Sequence, residues 1–189
     1  KLIDILNHDV QRIERLITDY SQMLKDEVAL SKEKMKKINL NLIARSVVDD
    51  FNNIYEAKRG IKIILSELNN QEDYFINGIE NRIEQIIANL LDNSISFSDD
   101  NKNISVEIYK NGHEKIILKV IDEGKGFKEK NTKKIFDRFY SNRPDNFGEH
   151  SGLGLNIVKN LVDLHGATIN ASNNIAQKGA NVEIVFPKS

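Results

Sequence analysis

The sequence predicts an α+β fold: an α/β sandwich with a mixed sheet and one helical layer, preceded by a long bundle-forming helix. Apolar residues recur every three or four positions through residues 1–34, and residues 79–91 carry a helical apolar stripe. Segments with the alternation typical of strands lie on both sides of that stripe. Because helices and strands do not alternate strictly, this architecture is favoured over a doubly wound parallel sheet.

The N-terminal segment, residues 1–37, is predicted to contribute one helix to a bundle. Its apolar seam alternates steps of three and four and consists of Ile3, Leu6, Val10, Ile13, Ile17, Tyr20 and Leu24. A single helix cannot bury such a seam against itself, so we expect partner helices, supplied by a homodimer. A helix docked on its own globular domain is the alternative.

Residues 38–189 are predicted to form the second domain. Helices are expected from residue 40 to about 57, over 79–91 and over 152–164. Strands are expected at 61–65, 74–77, 104–109, 115–121, 167–171 and 181–186. Asn111-Gly112 is a strong hairpin signal, because both residues tolerate positive φ. The long polar segment 123–150 is expected to be a lid or a disordered loop.

Composition excludes several classes of function. Charged residues make up 29% of the chain and the formal net charge is -1, so no strong field favours nucleic acid or an anionic membrane. There is no cysteine, which excludes disulfides and thiolate chemistry. No apolar run approaches the ~18 residues of a membrane span. Because the chain opens inside a periodic pattern without an initiating Met, we expect it to be part of a longer protein.

Four short segments in the second half of the chain carry the candidate chemistry. They are NLLDN at 89–93, DEGKGF at 122–127, FDRFY at 136–140 and SGLGLNIVK at 151–159. Each one alone also has an ordinary structural explanation. Together they predict one nucleotide site, and ATP is the first hypothesis.

The first segment offers two amides on one helix. Asn89 and Asn93 lie one turn apart, so their carboxamide oxygens can reach one cleft. Mg²⁺ prefers oxygen ligands and shares them with ATP phosphates. The alternative is a pair of exposed or capping asparagines.

The second segment begins where a strand ends. An ionised Asp122 is an acceptor only, so it can bind the exocyclic amine of adenine, where guanine presents an oxygen. Gly124 and Gly126 allow a sharp turn and close approach of the backbone to a ligand. An ordinary turn is the alternative.

The last two segments offer a phosphate site and aromatic side chains. Gly152, Leu153, Gly154 and Leu155 open a helix, whose free N–H groups and positive dipole end favour phosphate. Ser151 as the cap of a core helix is the alternative. In the polar loop, Phe136, Phe139 and Tyr140 either close over a nucleotide or simply anchor the loop.

This set resembles the N, G1, F and G2 boxes of bacterial sensor histidine kinases. That family shares the Bergerat ATP-binding fold with gyrase, Hsp90 and MutL-type ATPases, and the resemblance covers about residues 38–187. The preceding segment is similar to the second helix of a dimerisation and phosphotransfer domain. Within the family, the ChvG type of envelope sensor is most similar, on NHDV at 7–10, RLI at 15–17, RFYSNRP at 138–144 and HSG at 150–152.

The resemblance implies roles for individual residues. Asn93 is expected to bind Mg²⁺ and Asn89 to line the phosphate site, and both are assigned as catalytic. The other expected nucleotide-binding residues are Asp122, Gly124, Gly126, Tyr140, Arg143, Gly152, Leu153, Gly154 and Leu155. Two positions depart from the family pattern: Ser96 stands where many members have a basic residue, and His150 where a glycine is common. Arg143, in the predicted lid, is the candidate to take the place of the missing basic residue.

The resemblance also implies an activity and partners. With ATP and Mg²⁺, the γ-phosphoryl group is expected to pass to a histidine, then to a response regulator, in the cytoplasmic portion of an inner-membrane sensor protein. His8 lacks the following basic residue and proline of the family's phosphoacceptor, so the acceptor is expected upstream of this chain, which alone should not autophosphorylate. The alternatives are a degenerate nucleotide-binding or interaction module, another Bergerat-fold ATPase, or an anti-sigma-type serine kinase.

Overall fold

The computed structural model describes residues 33–67, 74–111, 115–128, 132–137, 140, 152–174 and 178–187, with six positions near the N-terminus. Those six positions are Val10, Ile13, Glu14, Ile17, Thr18 and Ser21, and all are helical. The apolar Val10, Ile13 and Ile17 are each more than half exposed. Residues 33–37 of the predicted bundle segment are described and are not helical, and its other residues lie outside the described ones, so the bundle stays a prediction.

A short strand that the sequence analysis did not predict precedes the first helix. Strand β1, Lys36–Asn39, pairs antiparallel with β3, Phe75–Gly78. It therefore extends across the predicted domain boundary between residues 37 and 38. Asn39 ends the strand and caps helix α1, Leu40–Arg59, because its Oδ1 accepts hydrogen bonds from the backbone N–H groups of Asn41 (3.0 Å) and Leu42 (3.4 Å).

The main sheet has five strands in the order β2-β4-β5-β7-β6. They are β2 Lys62–Glu67, β4 Asn103–Lys110, β5 Ile116–Asp122, β6 Thr168–Asn173 and β7 Ala180–Phe186. Strand β2 runs parallel to β4, and every other pair is antiparallel, so the sheet is mixed as predicted. The β4–β5 turn is closed at the predicted position, where the N–H of Asn111 donates to the Lys115 carbonyl at 3.0 Å.

The helices form a single layer on one face of this sheet. Besides α1 they are α2, Glu80–Phe97, and α3, Gly154–Leu164, with a 3-10 helix at Thr132–Phe136. The apolar stripe of α2 packs with the inward side chains of the sheet in one core. On the opposite face, Glu107, Lys119 and Glu183 lie side by side in register, with Lys119 Nζ 3.4 Å from Glu183 Oε2. The predicted sandwich is thereby confirmed.

Among the described residues, no helix combines the length and the apolar character that crossing a bilayer requires.

Candidate nucleotide site

Asp122, at the end of β5, is the most constrained polar side chain of the site. It is only 4% exposed, and its Oδ1 accepts hydrogen bonds from the backbone N–H groups of Gly124 (2.9 Å) and Ala180 (3.0 Å). The Ser94 hydroxyl of α2 lies near the same carboxylate and favours its charged form. An ionised carboxylate has about four acceptor positions. The two backbone hydrogen bonds and the nearby Ser94 hydroxyl therefore leave acceptor capacity for a ligand.

The surroundings of Asp122 shift its pKa upward. Burial is the largest cause, because it disfavours the charged form. The hydrogen bonds from Ala180, Gly124 and Ser94 act in the opposite direction and partly offset burial. The carboxylate is therefore desolvated yet already oriented, which is the state in which a single acceptor discriminates best between ligands.

Two glycines let other backbone segments approach Asp122 closely. A Cβ atom at Gly124 would lie 2.5 Å from the carbonyl oxygen of Phe97, and one at Gly179 would lie 1.9 Å from the carbonyl oxygen of Asp122. No real Cβ atom tolerates such distances. Gly124 was among the predicted site residues, whereas Gly179 was not.

Helix α2 brings the first and last segments together. A Cβ atom at Gly154 would lie 3.6 Å from Asn89 Oδ1, so the Asn89 amide faces the start of α3. Asn93 lies one turn further along α2, and Ser94 beside it reaches Asp122. One helix thus connects the start of α3 with the buried carboxylate.

The start of α3 differs in detail from the prediction. The helix begins at Gly154 rather than Gly152, because Gly152 has a φ of 72°, in the left-handed region. Leu153, not Ser151, is the N-cap residue, and no side chain caps the helix. The first N–H groups of a helix have no intrahelical partner, so they are available for a phosphate. The Leu153 side chain is fully buried, which leaves only its backbone for a ligand.

One of the loop aromatics is anchored to α3. Phe136 is buried at the end of the 3-10 helix, and its carbonyl accepts a hydrogen bond from Asn156 Nδ2 at 2.9 Å. The N–H of Tyr140 donates to the carbonyl of Asp137 at 3.3 Å. Phe139, Arg143 and the rest of 141–151 lie outside the described residues, so the predicted role of Arg143 stays a prediction.

Ser96 is one of the two positions that depart from the family pattern, and it lies in the last turn of α2. Its hydroxyl donates to the carbonyl of Asp92 on the same helix at 2.7 Å, and the residue is buried. This hydroxyl therefore satisfies its hydrogen bond within α2.

An open cleft of about 600 Å³ borders the glycine turn after Asp122. Its lining includes Gly124 and Gly126 of the predicted residues. The other lining residues are Asp99, Lys102, Glu123, Lys125, Asn173, Asn174, Lys178 and Gly179. Asn89, Asn93 and Gly154 do not line it, so the cleft meets the predicted site only at this turn.

Sequence reasoning missed several residues that shape the site. Ser94, Gly179 and Ala180 surround Asp122, and Asn173 contacts the turn that follows it. Ser94 directly follows Asn93, which was a usable signal. Asn173 and Ala180 carried none, because their contacts join residues 46 and 58 positions apart.

Comparison with known families decides the assignment. The family described as histidine kinase-, DNA gyrase B-, and HSP90-like ATPase matches residues 78–189. The chain belongs to this ATPase family. Within the family, it matches the ATP-binding catalytic domain of sensor histidine kinases, as the four segments predicted.

The relatives of this ATPase chain are sensor kinases of the predicted type. The sensor protein ChvG of Rhizobium meliloti (strain 1021) is 32% identical over 184 residues, which cover 95% of this chain and 32% of the relative. ChvG of Agrobacterium fabrum is 31% identical over 185 residues, covering 95% of this chain and 31% of the relative. The chain thus spans about a third of the length of these curated relatives.

Solved structures confirm the fold. The nucleotide-free catalytic domain of the histidine kinase ThkA is 26% identical, with a TM-score of 0.70, and the match covers 82% of this chain and 99% of that domain. ThkA in complex with the response regulator protein TrrA is 25% identical, with a TM-score of 0.71, and that match covers 100% of this chain and 51% of ThkA.

Proposed function

We propose that this ATPase-family domain delivers the γ-phosphoryl group of ATP to a histidine of a two-component sensor protein. The observation that carries the proposal is the course of α2. One end of its polar face meets the start of α3 through Asn89, and the other meets Asp122 through Ser94. A nucleotide lying along this helix has its adenine at the buried carboxylate and its phosphates at the helix start.

The adenine end of the site rests on Asp122. Its remaining acceptor capacity suits the exocyclic amine of adenine, and Gly124 and Gly126 allow the backbone to lie close to the base. Guanine presents an oxygen at that position, and a carboxylate repels that oxygen because both groups are acceptors. Burial strengthens this discrimination, because an unpaired buried acceptor is costly.

The phosphate end rests on backbone and amide groups. The N–H groups at Gly152, Leu153, Gly154 and Leu155 offer donors at a helix start, where the dipole also favours negative charge. Tyr140 and Arg143 belong to the segment that closes over the nucleotide. Phosphoryl transfer depends mainly on positioning and charge neutralisation, which such groups supply.

The residues of α2 fit a magnesium ion. The Asn89 amide faces the start of α3, and Asn93 lies one turn along the same helix. Both carry neutral amide oxygens, and Mg²⁺ prefers oxygen donors shared with phosphates and water. Asn93 is the proposed ligand, with Asn89 lining the phosphate site. When bound there, the ion would supply positive charge to balance that of the phosphates.

The partners follow from the same proposal. The N-terminal helix pairs with that of a second copy, and a response regulator receives the phosphate, as the solved complex of ThkA with TrrA suggests. The chain is then the cytoplasmic portion of an inner-membrane sensor protein. The acceptor is a histidine upstream of this chain rather than His8.

Asp122→Asn tests the proposal directly. The amide can still accept the two backbone hydrogen bonds, but it presents a donor group or a weaker acceptor to the adenine amine. Loss of a charged hydrogen bond of roughly 1.5–3 kcal/mol should weaken ATP binding about 10- to 150-fold. Titration calorimetry measures this, with Asp50→Asn on the exposed face of α1 as the matched control. Equal ATP affinity of the Asp122 variant and the control would remove Asp122 from the site.

A nucleotide-binding module without transfer activity is the second candidate. Ser96 favours it, because the buried hydroxyl bonds within α2 and offers the phosphates no positive charge. Such a module binds ATP and is weakened by Asp122→Asn, but it labels no histidine. The phosphorylation assay described in the Discussion separates the two.

A further inference from the structure

Asn173 bridges the end of strand β6 and the glycine turn that follows Asp122. Its Oδ1 accepts a hydrogen bond from the backbone N–H of Phe127 at 2.6 Å, and its Nδ2 donates to the Phe127 carbonyl at 2.9 Å. The amide thus pairs with both backbone groups of one residue, as a neighbouring strand does. This side chain is 46 positions from its partner and belongs to none of the four segments.

The hairpin of β6 and β7 holds both ends of the turn. Asn173 and Ala180 are directly opposite each other in the β6–β7 register. Asn173 binds Phe127 at the end of the turn, and the N–H of Ala180 donates to Asp122 at its beginning. One cross-strand pair therefore fixes the distance between the carboxylate and the residue that ends the turn.

Gly126 is shaped to permit this contact. Its φ is 70°, in the left-handed region, and a Cβ atom there would lie 2.8 Å from Asn173 Oδ1. A side chain at this position would push the amide away from Phe127. The position of the Asn173 amide therefore depends on the absence of a side chain at Gly126.

Asn173 is not needed to hold the hairpin itself together. It is exposed and therefore adds little to the hydrophobic core. The hairpin closes through its backbone, where the N–H of Asn174 donates to the Gly179 carbonyl at 2.8 Å. Removing the Asn173 amide should leave the strands paired and release only the turn.

We infer that Asn173 is a positioning residue for nucleotide binding, which holds the Gly124–Phe127 turn in the geometry that adenine requires beside Asp122. The inference rests on the proposed function. It adds Asn173 of β6 to a site built from α2, β5, α3 and the start of β7.

Asn173→Ala tests the inference at two levels. In the free protein, hydrogen exchange at the Phe127 amide should become faster, because its acceptor is lost. ATP affinity measured by calorimetry should fall about 5- to 30-fold, as expected when two hydrogen bonds that order a site are lost. Asn173→Asp, which keeps an acceptor for the Phe127 N–H but no donor, should restore slow exchange and part of the affinity.

Asn170→Ala is the matched control, because Asn170 is an exposed asparagine on the same strand. It should change neither exchange nor affinity. A double-mutant cycle with Gly126→Ala should be strongly non-additive, since both substitutions release the same turn.

The outcomes separate this inference from the proposed function. Unchanged ATP affinity in Asn173→Ala, with Asp122→Asn still weakened, overturns the positioning role and leaves the proposed function intact. Unchanged hydrogen exchange at the Phe127 amide contradicts the proposal that Asn173 holds this turn, whatever the nucleotide data show. If Asp122→Asn binds ATP normally, the proposed function falls, and the positioning role falls with it.

Discussion

At the residue scale, two buried ionisable side chains have pKa values shifted by burial in opposite directions. Burial raises the pKa of Asp122 and lowers that of His165, because in both cases it disfavours the charged form. His165 is 4% exposed and caps the C-terminal end of α3. Its Nδ1 lies 2.6 Å from the Leu161 carbonyl, and its Nε2 accepts the N–H of Ile79 at 3.1 Å. These partners assign the neutral tautomer with hydrogen on Nδ1.

The neutral His165 predicts a loss of stability in mild acid. A protonated Nε2 would place a hydrogen against the N–H of Ile79, so the folded state resists protonation. The folded pKa lies below the ordinary 6.5, so the stabilisation is present above 6.5 and lost as the pH falls toward the folded value. The free energy of unfolding, from urea denaturation between about pH 7.5 and 5.5, should fall more steeply in the wild type than in His165→Gln.

The same comparison contains its own control. The contribution of Asp122 to stability depends on pH in the opposite direction. Because its folded-state pKa is raised, this contribution is largest in acid and diminishes as the pH rises through the folded-state pKa. Asp122 and the other three histidines remain in both proteins, so their effects cancel in the difference. Parallel pH curves would contradict the role given to His165.

At the element scale, α2 and α3 organise the site. The apolar face of α2 packs in the core, while Asn89 and Ser94 connect it to α3 and to β5. Helix α3 in turn holds the segment that follows the glycine turn, through the bond from Asn156 to the Phe136 carbonyl. Rigid helices thus position residues of the segments that connect them.

Asn156→Ala should release the 3-10 helix from α3. The Phe136 carbonyl would lose its donor in a buried setting, at a cost of roughly 1–3 kcal/mol in the free energy of unfolding. Chemical denaturation measures the loss, and amide exchange should increase over residues 132–136. Asn160→Ala, one turn along α3 and exposed, is the matched control. A loss of stability no larger than that of the control would show that this contact does not anchor the segment.

At the scale of the whole molecule, the described domain buries its apolar side chains within the chain, and the N-terminal helical positions do not. The domain has its own core of buried residues from all three helices and the main sheet. The helical positions Val10, Ile13 and Ile17 are instead exposed in the single chain. A helix with such a face needs a partner to bury it, which agrees with the proposed bundle.

The proposed upstream position of the phosphoacceptor histidine predicts which proteins become phosphorylated. A longer protein that joins this chain to an upstream helix with a histidine should acquire an acid-labile phosphate from Mg-ATP. The 189-residue chain should acquire none, and His8→Gln in the longer protein should leave the label unchanged. Radiolabelled ATP with acid and base treatment of the product measures this. Label on His8 would overturn the assignment of the acceptor, and no label on the longer protein would favour the module without transfer activity.

Much of the fold was predictable because its signals are local. The apolar stripe of α2 and the alternation in β4 and β5 report which side of each element is buried, and Asn111 marks the turn between those strands. Strand β1 was missed, because its four residues are too few for a period and follow a helical pattern. The start of α3 was predicted at Gly152 instead of Gly154, because the left-handed φ at Gly152 cannot be read from the residue type alone.

By itself, the sequence determined the order of the three helices and of strands β2 to β7, the family, and which asparagines, aspartate and glycines are the candidates for the site. Only the tertiary structure decided what surrounds them: Ser94 and Ala180 on the carboxylate, and Asn173 on the turn. The physical reason is the distance along the sequence over which each signal acts. Periodicity records which face of an element is buried, but the sheet order β2-β4-β5-β7-β6 decides which distant residues become hydrogen-bond partners.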